Sequence, residues 1–189
     1  MEQATPVRPM EQATHDNGGV TDVRAAVDRA QLTVITNGGQ WLISWHPPDE
    51  QPEGTAHGAT GICRVPSGEV VLISPDGERW GFPGGRTEPG ETWRQTLDRE
   101  MEEEACAGVL HASLIGWGRG ECLTGPEQGL ILVRSMWRAS LELYRWWPRF
   151  EISHRRLCDP SEAWKQLDME PGMEPIYRRQ LKEAGLPYG

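Results

Sequence analysis

Between Gly85 and Val109 the chain reads GRTEPGETWRQTLDREMEEEACAGV, and three of its carboxylates are spaced to act together. Read as a helix from about Thr92 to Ala105, the segment turns by about 100° per residue. Trp93, Leu97, Met101 and Ala105 then form an apolar stripe. Glu104 projects within that stripe, Glu100 lies on its edge and Glu103 is adjacent, whereas Gln95, Asp98 and Glu102 fall on the opposite side. Like charges three or four residues apart cost roughly 0.2–0.5 kcal/mol each even in water. The last turns of a helix disfavour negative charge, and burial would cost far more. A cation is therefore expected against this face. Hard oxygen ligands in such an arrangement suit Mg²⁺ or Mn²⁺. The alternative, a solvated acidic face, accounts for Asp98 and Glu102 but not for the three carboxylates beside the stripe.

The same spacing resembles the Nudix box, Gly-x5-Glu-x7-Arg-Glu-U-x-Glu-Glu-x-Gly-U, where U is bulky and apolar. Gly85, Glu91, Arg99, Glu100, Met101, Glu103 and Glu104 fill their places. At about 7% usage per residue, six fixed letters would match by chance on the order of once in ten million starts. Two positions depart: Cys106 stands where the family has Gly, and Ala107 takes the last apolar place. The family Gly would end the helix in a left-handed conformation that Cys adopts only at a cost. Gly108 is therefore expected to make that stop.

The resemblance implies a divalent-metal-dependent hydrolase that cleaves a diphosphate linkage in a nucleoside diphosphate derivative. It implies Glu100, Glu103 and Glu104 as ligands of Mg²⁺ or Mn²⁺, with the Gly85 carbonyl as a further oxygen. Glu91 and Arg99 would brace the loop against the helix. The general base falls to Glu103 first and Glu151 second, because relatives carry an acidic residue in a segment similar to the one around Glu151. Arg134 and Arg138, two residues of one strand face, are candidate phosphate ligands, since a guanidinium fork matches phosphate oxygens. Trp80, Trp117 and Trp45 are candidates for stacking on a base, with packing as the alternative for each. Two other readings stay open: a catalytically silent Nudix-fold sensor or scaffold, and an RNA-end-processing pyrophosphohydrolase.

The elements that must hold these groups follow from pattern. Gln31 to His46 reads as an extra N-terminal hairpin around Asn37-Gly38-Gly39, and Ala59 to Ser74 as a second around Pro66-Ser67-Gly68. His46 to Gly58 is a loop by composition. After the box helix, Ala112 to Gly116 and Leu130 to Leu143 read as strands joined by a long Gly-rich loop. Phe150 to Leu157 reads as a late strand, and Glu174 to Ala184 as an amphipathic helix ended by Gly185. This order predicts an α/β fold, an α/β/α sandwich around a mixed β-sheet. Residues 1–20, in which MEQAT occurs twice, read as a disordered tail and 21–189 as one domain, with Thr21 to Ala30 as a short helix.

Composition sets the outer bounds. The formal net charge of −9 argues against a broad nucleic-acid surface, so a small nucleotide is the expected partner. The apolar runs are too short to span a bilayer. No basic-then-apolar leader is visible, and the four scattered Cys lack metal-site spacing. A reduced, cytoplasmic protein is the expectation, with a homodimer left open.

Overall fold

The computed structural model describes residues 31–188; the expected tail and the short helix at 21–30 lie outside them. The strands are β1 (Gln31–Thr36), β2 (Gly39–His46), β3 (Thr55–Arg64), β4 (Val70–Ser74), β5 (Gly84–Arg86), β6 (Ala107–Thr124), β7 (Ile131–Leu143) and β8 (His154–Cys158). The helices are α1 (Trp93–Ala105), the single turn α2 (Ala163–Gln166) and α3 (Glu174–Glu183). One eight-stranded sheet runs β1-β2-β6-β7-β3-β4-β8, with β5 paired to β3. The β3–β7 pair is parallel and the other pairs are antiparallel, so the sheet is mixed.

The sheet is the middle layer because its central strands are apolar on both faces. Every residue of β4, VVLIS, is buried. Val71 and Ile73 face a core that holds Leu97, Met101 and Ala105 of α1, whereas Val70 and Leu72 face the core that holds Ile176 and Leu181 of α3. This alternation follows from the two-residue period of a strand. The α/β/α arrangement is thus written in β4 alone.

At the first hairpin, Asn37 and Gly38 both take positive φ, 49° and 71°, the twist that closes a two-residue turn. β2 then joins the sheet along β6. Four boundaries differ from expectation, the first being that the strand after the box helix begins at Ala107 and not at Ala112. β3 begins at Thr55, inside the expected loop, because it pairs with β7 from Thr55 onwards. The late strand is shorter and begins at His154. Most of the expected long loop after Gly116 is instead the second half of β6, bonded to β2 on one side and β7 on the other, and only residues 125–129 form a turn. Its glycines read as loop in sequence, yet two flanking strands satisfy every reason to stay extended.

Candidate active site

α1 starts at a capping box. Thr92 Oγ1 accepts from the Gln95 amide at 3.3 Å, and Gln95 Oε1 accepts from the Thr92 amide at 2.8 Å. With its start fixed, the stripe buries Leu97, Met101 and Ala105 completely, and Trp93 packs edge-on against Trp117, ring centroids 5.3 Å apart. The helix ends at Cys106, which itself takes the left-handed conformation (φ 46°, ψ 57°) and donates its N–H to the Met101 carbonyl. The stop is therefore not shifted to Gly108. The chain accepts the cost of a left-handed Cys and keeps the helix end where the box places it.

Glu100 and Glu104 are only 7% and 8% exposed. Glu104 Oε2 accepts from the Gly84 amide at 2.7 Å. No cation lies within hydrogen-bond reach of Glu104 among the described residues. Burial first, then the fields of Glu100 and Glu151, push its carboxyl up to about 7, against the opposing pull of the Gly84 N–H. Burial also raises Glu100, opposed by Arg99. The loop backbone is pressed onto these groups: a Cβ at Gly85 would sit 2.2 Å from Glu100 Oε1. Only glycine leaves that carboxylate its place.

Arg99 ties the cluster to the loop. Its Nε and Nη2 grip Glu91 at 2.7 and 3.1 Å, Nη2 also donates to the Arg86 carbonyl, and Nη1 donates to Glu100 at 2.8 Å and Glu103 at 3.0 Å. The Arg99 hydrogen bonds hold Glu91 down at about 2. Among the described residues no three acidic, His or Cys side chains converge on one point as they stand. Two of the carboxylates share Arg99 Nη1, and Glu104 turns to Gly84. The donor set nevertheless fits a hard dication, because it leaves buried carboxylate oxygens with too little positive charge around them.

Glu151, on the exposed segment before β8, is close enough to raise the Glu104 carboxyl through its field. Among the described residues Glu151 forms no ion pair with the nearby arginines: Arg155 donates to the Ala105 and Cys106 carbonyls at the helix end, and Arg149 lies over Phe150. Arg155 thus supplies the positive charge that the last turn of α1 itself lacks.

The other face of the sheet carries two adjoining clefts, of about 360 and 330 Å³, which share Arg134, Met136, Met173 and Gln180. Arg134 is the hinge between them, bonded to the Ala59 carbonyl and Thr60 Oγ1. Arg138 does not join it. It lines a separate depression with Arg64 and His111, four residues and about 13 Å further along β7. Trp80 borders the second cleft, with Arg156 stacked 4.0 Å from its ring centroid. Trp117 is buried, bonded to the Pro48 carbonyl and packed on Trp93, and Trp45 is fully buried; these two take the packing role. The Gly85 carbonyl turns to β3, where a Cβ on Gly58 would meet it. Gly84, not Gly85, offers its backbone to the carboxylates. Sequence reasoning also passed over His57 and Arg86 in the first cleft. The signal available for Arg86 was alternation, since Gly85 faces α1 and its neighbour must face away.

Comparison with known proteins agrees with this architecture. The model of the NUDIX domain matches residues 54–180. No curated protein matches the sequence. Among solved structures, the Bacillus subtilis pyrophosphohydrolase BsRppH is similar, with 24% identity and a TM-score of 0.58 over 77% of this chain and 93% of its own. A NUDIX hydrolase from Nitrosomonas europaea is similar at 17% identity and TM-score 0.50, over 72% of this chain and 98% of its own.

Proposed function

This chain belongs to the NUDIX domain family, and from that premise we propose that it is a hydrolase cleaving the diphosphate linkage of a nucleoside diphosphate derivative into two phosphorylated products. The observation that carries the reading is the set of carboxylates on the apolar stripe of α1, with Gly84 and Gly85 folded onto it. That structure is costly unless positive charge and substrate oxygens complete it.

Glu100, Glu103 and Glu104 would hold Mg²⁺ or Mn²⁺, which when bound neutralises phosphoryl oxygens and acidifies water. Glu103, more exposed than Glu100, is the first choice to accept the proton of the attacking water, and Glu151 the second. Arg99 and Glu91 hold the loop and helix in one geometry, so the carboxylates stay aimed as charge shifts. Arg134 meets a phosphate oxygen of the nucleotide that the clefts beside it receive. Trp80 at the rim of the second cleft is the remaining stacking candidate. The NUDIX match spans 54–180, and the β1–β2 hairpin outside it extends the same sheet. We therefore take residues 21–189 as one domain. Among the described residues no helix is long and apolar enough to cross a membrane, and the free thiols fit a reducing compartment such as the cytoplasm.

The test is turnover of a panel of nucleotide diphosphate derivatives with Mg²⁺, run in parallel on wild type and Glu103→Gln. The variant keeps the side-chain shape but loses charge and basicity, and its kcat should fall by about 10³ or more, or about 4 kcal/mol. A folded variant with near wild-type kcat would remove Glu103 from the chemistry.

A further inference from the structure

The first cleft contains a cationic row that hydrolysis of a bare diphosphate does not require. Gly58 of β3 is in register with Arg86 of β5 on one side and Arg134 of β7 on the other, and Arg134 is in register with Gly118 of β6. Residues in register across a sheet share a face. Four strands thus present Gly118, Arg134, Gly58 and Arg86 in one line. Gly58 leaves the Arg134 guanidinium room, since a Cβ there would come within 2.9 Å of Arg134 Nη2, and the space above Gly118 is open. His57 is the unpaired residue where the β3–β7 ladder shifts register, between Ala56 and Gly58. A bulge of this kind re-aims a side chain, and His57 accordingly lines the same cleft as both arginines.

Neither Arg86 nor Arg134 forms an ion pair among the described residues. Arg134 donates only to neutral oxygens, and the field of Glu100 and Glu104 reaches it from beyond the sheet. Arg119 in the same cleft is already matched by Glu121 at 2.9 Å, and Glu127 lies on its lip. The row is distinct from the carboxylate cluster. Gly85 faces Glu100 on the α1 side, so Arg86, one residue on, faces the α3 side.

We infer that Arg86, Arg134 and His57 form a binding subsite for a further phosphate of the substrate, beyond the pair that is split at the carboxylates. This rests on the reading of the chain as a diphosphate hydrolase. It names the substrate class more narrowly, as a small nucleotide carrying three or more phosphates or a phosphorylated leaving group. A planar fork on each side of a backbone gap suits the several oxygens of a phosphate. Burial first, then the fields of Arg134 and Arg86, hold His57 below the ordinary histidine range.

Two measurements on the full-length protein separate this inference from the activity on which it rests. In EDTA, calorimetry should show inorganic tripolyphosphate bound at least ten times more tightly than pyrophosphate. Arg86→Gln and His57→Asn, each checked for an unchanged melting temperature, should each weaken tripolyphosphate binding at least tenfold. In Mg²⁺, wild type should show a higher kcat/KM for a nucleoside triphosphate than for the matching diphosphate, and Arg86→Gln should lose at least ten times more on the triphosphate than on the diphosphate. Equal losses on both would mean that the row grips the scissile pair itself, and unchanged tripolyphosphate binding in both variants would mean that it grips no phosphate; either result overturns the subsite. If wild type turns over no nucleotide, the hydrolase reading fails, while the calorimetry still decides whether the row binds a phosphate.

Discussion

The two long helices lie on opposite faces of one sheet and follow opposite electrostatic rules. α3 buries Ile176 and Leu181, leaves the Arg178–Glu174 pair in water and matches the half-buried Arg179 with Glu183, both at four-residue spacing. Glu174 sits in its first turn and Lys182 in its last, as the helix dipole favours. α1 has no acid in its first turn and no base in its last, and it carries Glu100, Glu103 and Glu104 towards the end where negative charge is disfavoured. Two of the three are buried. α3 needs only the sheet to be stable. α1 needs something that the chain itself supplies in part, through Arg99, Arg134, Arg155 and the Gly84 amide. A helix that breaks the rules its neighbour keeps is the candidate site for the proposed chemistry.

The largest expected effect exposes that debt directly. The Glu104 carboxyl moves from 4.5 to about 7 on folding, which ties about 3 kcal/mol of stability to its protonation. The sign follows from the raised value: the contribution is fully present below pH 4.5 and is lost as pH rises through about 7. The metal-free protein should therefore melt several degrees lower at pH 8 than at pH 5, where this group is concerned. His57, held low by burial and by Arg134 and Arg86, works the other way over the same window. The readout is accordingly the difference between wild type and Glu104→Gln in EDTA, a gap in favour of the variant that should open as pH rises from 5 to 8. Divalent ion at 100 times its dissociation constant should return about 2.7 kcal/mol to wild type and little to the variant. A pH-independent gap would mean that Glu104 is not the buried acid described here, and equal metal responses would place the ion elsewhere. The matching change in α3, Glu174→Gln, should alter neither profile.

A smaller effect belongs to the end of α1. Cys106 holds φ 46° and ψ 57°, a conformation that costs a non-glycine residue roughly 1–2 kcal/mol. Cys106→Gly should recover about 1 kcal/mol of this after the entropy of glycine is charged against it, raising the melting temperature by about 2–4 °C. The contact of Cys106 Sγ with the Trp147 carbonyl, 3.5 Å apart, is lost in exchange. A lowered midpoint would show that the thiol contact outweighs the backbone strain.

How far the sequence announced this depended on where each feature stored its information. α1 was legible because Trp93, Leu97, Met101 and Ala105 and the three glutamates lie within one stretch of helix. The sandwich was legible from the order of hairpins, box helix, strands and C-terminal helix, and the two-faced burial of β4 shows why that order closes as layers. β6 was misread because Gly116, Gly118 and Gly120 carry a loop signature, and only the strands on either side reveal that they form a sheet. The row of Gly118, Arg134, Gly58 and Arg86 was invisible for a related reason. Its members come from four strands, and cross-strand register is not encoded at any one of them. Arg138 showed the converse, since sharing a strand face with Arg134 did not place it at the same cleft.

The smallest effect sharpens the comparison most, because it holds spacing and N···O distance fixed while the order of acid and base is reversed. Arg99–Glu103 in α1 and Arg178–Glu174 in α3 are both four residues apart with N···O distances of 3.0 Å. Their surroundings differ: the side chains are 21% and 31% exposed in the first pair, 59% and 57% in the second. Water and salt screen the second pair and leave it little net attraction. Replacing both Arg178 and Glu174 by Gln should move the melting temperature by no more than about one degree, with turnover unchanged. Arg99→Gln removes a guanidinium that four oxygens of Glu91, Glu100 and Glu103 share, so its loss should lower both stability and turnover, and 1 M salt should not reproduce it. Measured side by side, a large effect at Arg178 would mean that its contacts with Glu174 and the Tyr188 ring outweigh solvent screening. Because Arg178 also lies 4.2 Å from the Tyr188 ring centroid, the Glu174→Gln single variant separates the pair from that stacking, and a negligible effect at Arg99 would mean that the cluster on α1 is held by the sheet and not by its own cation.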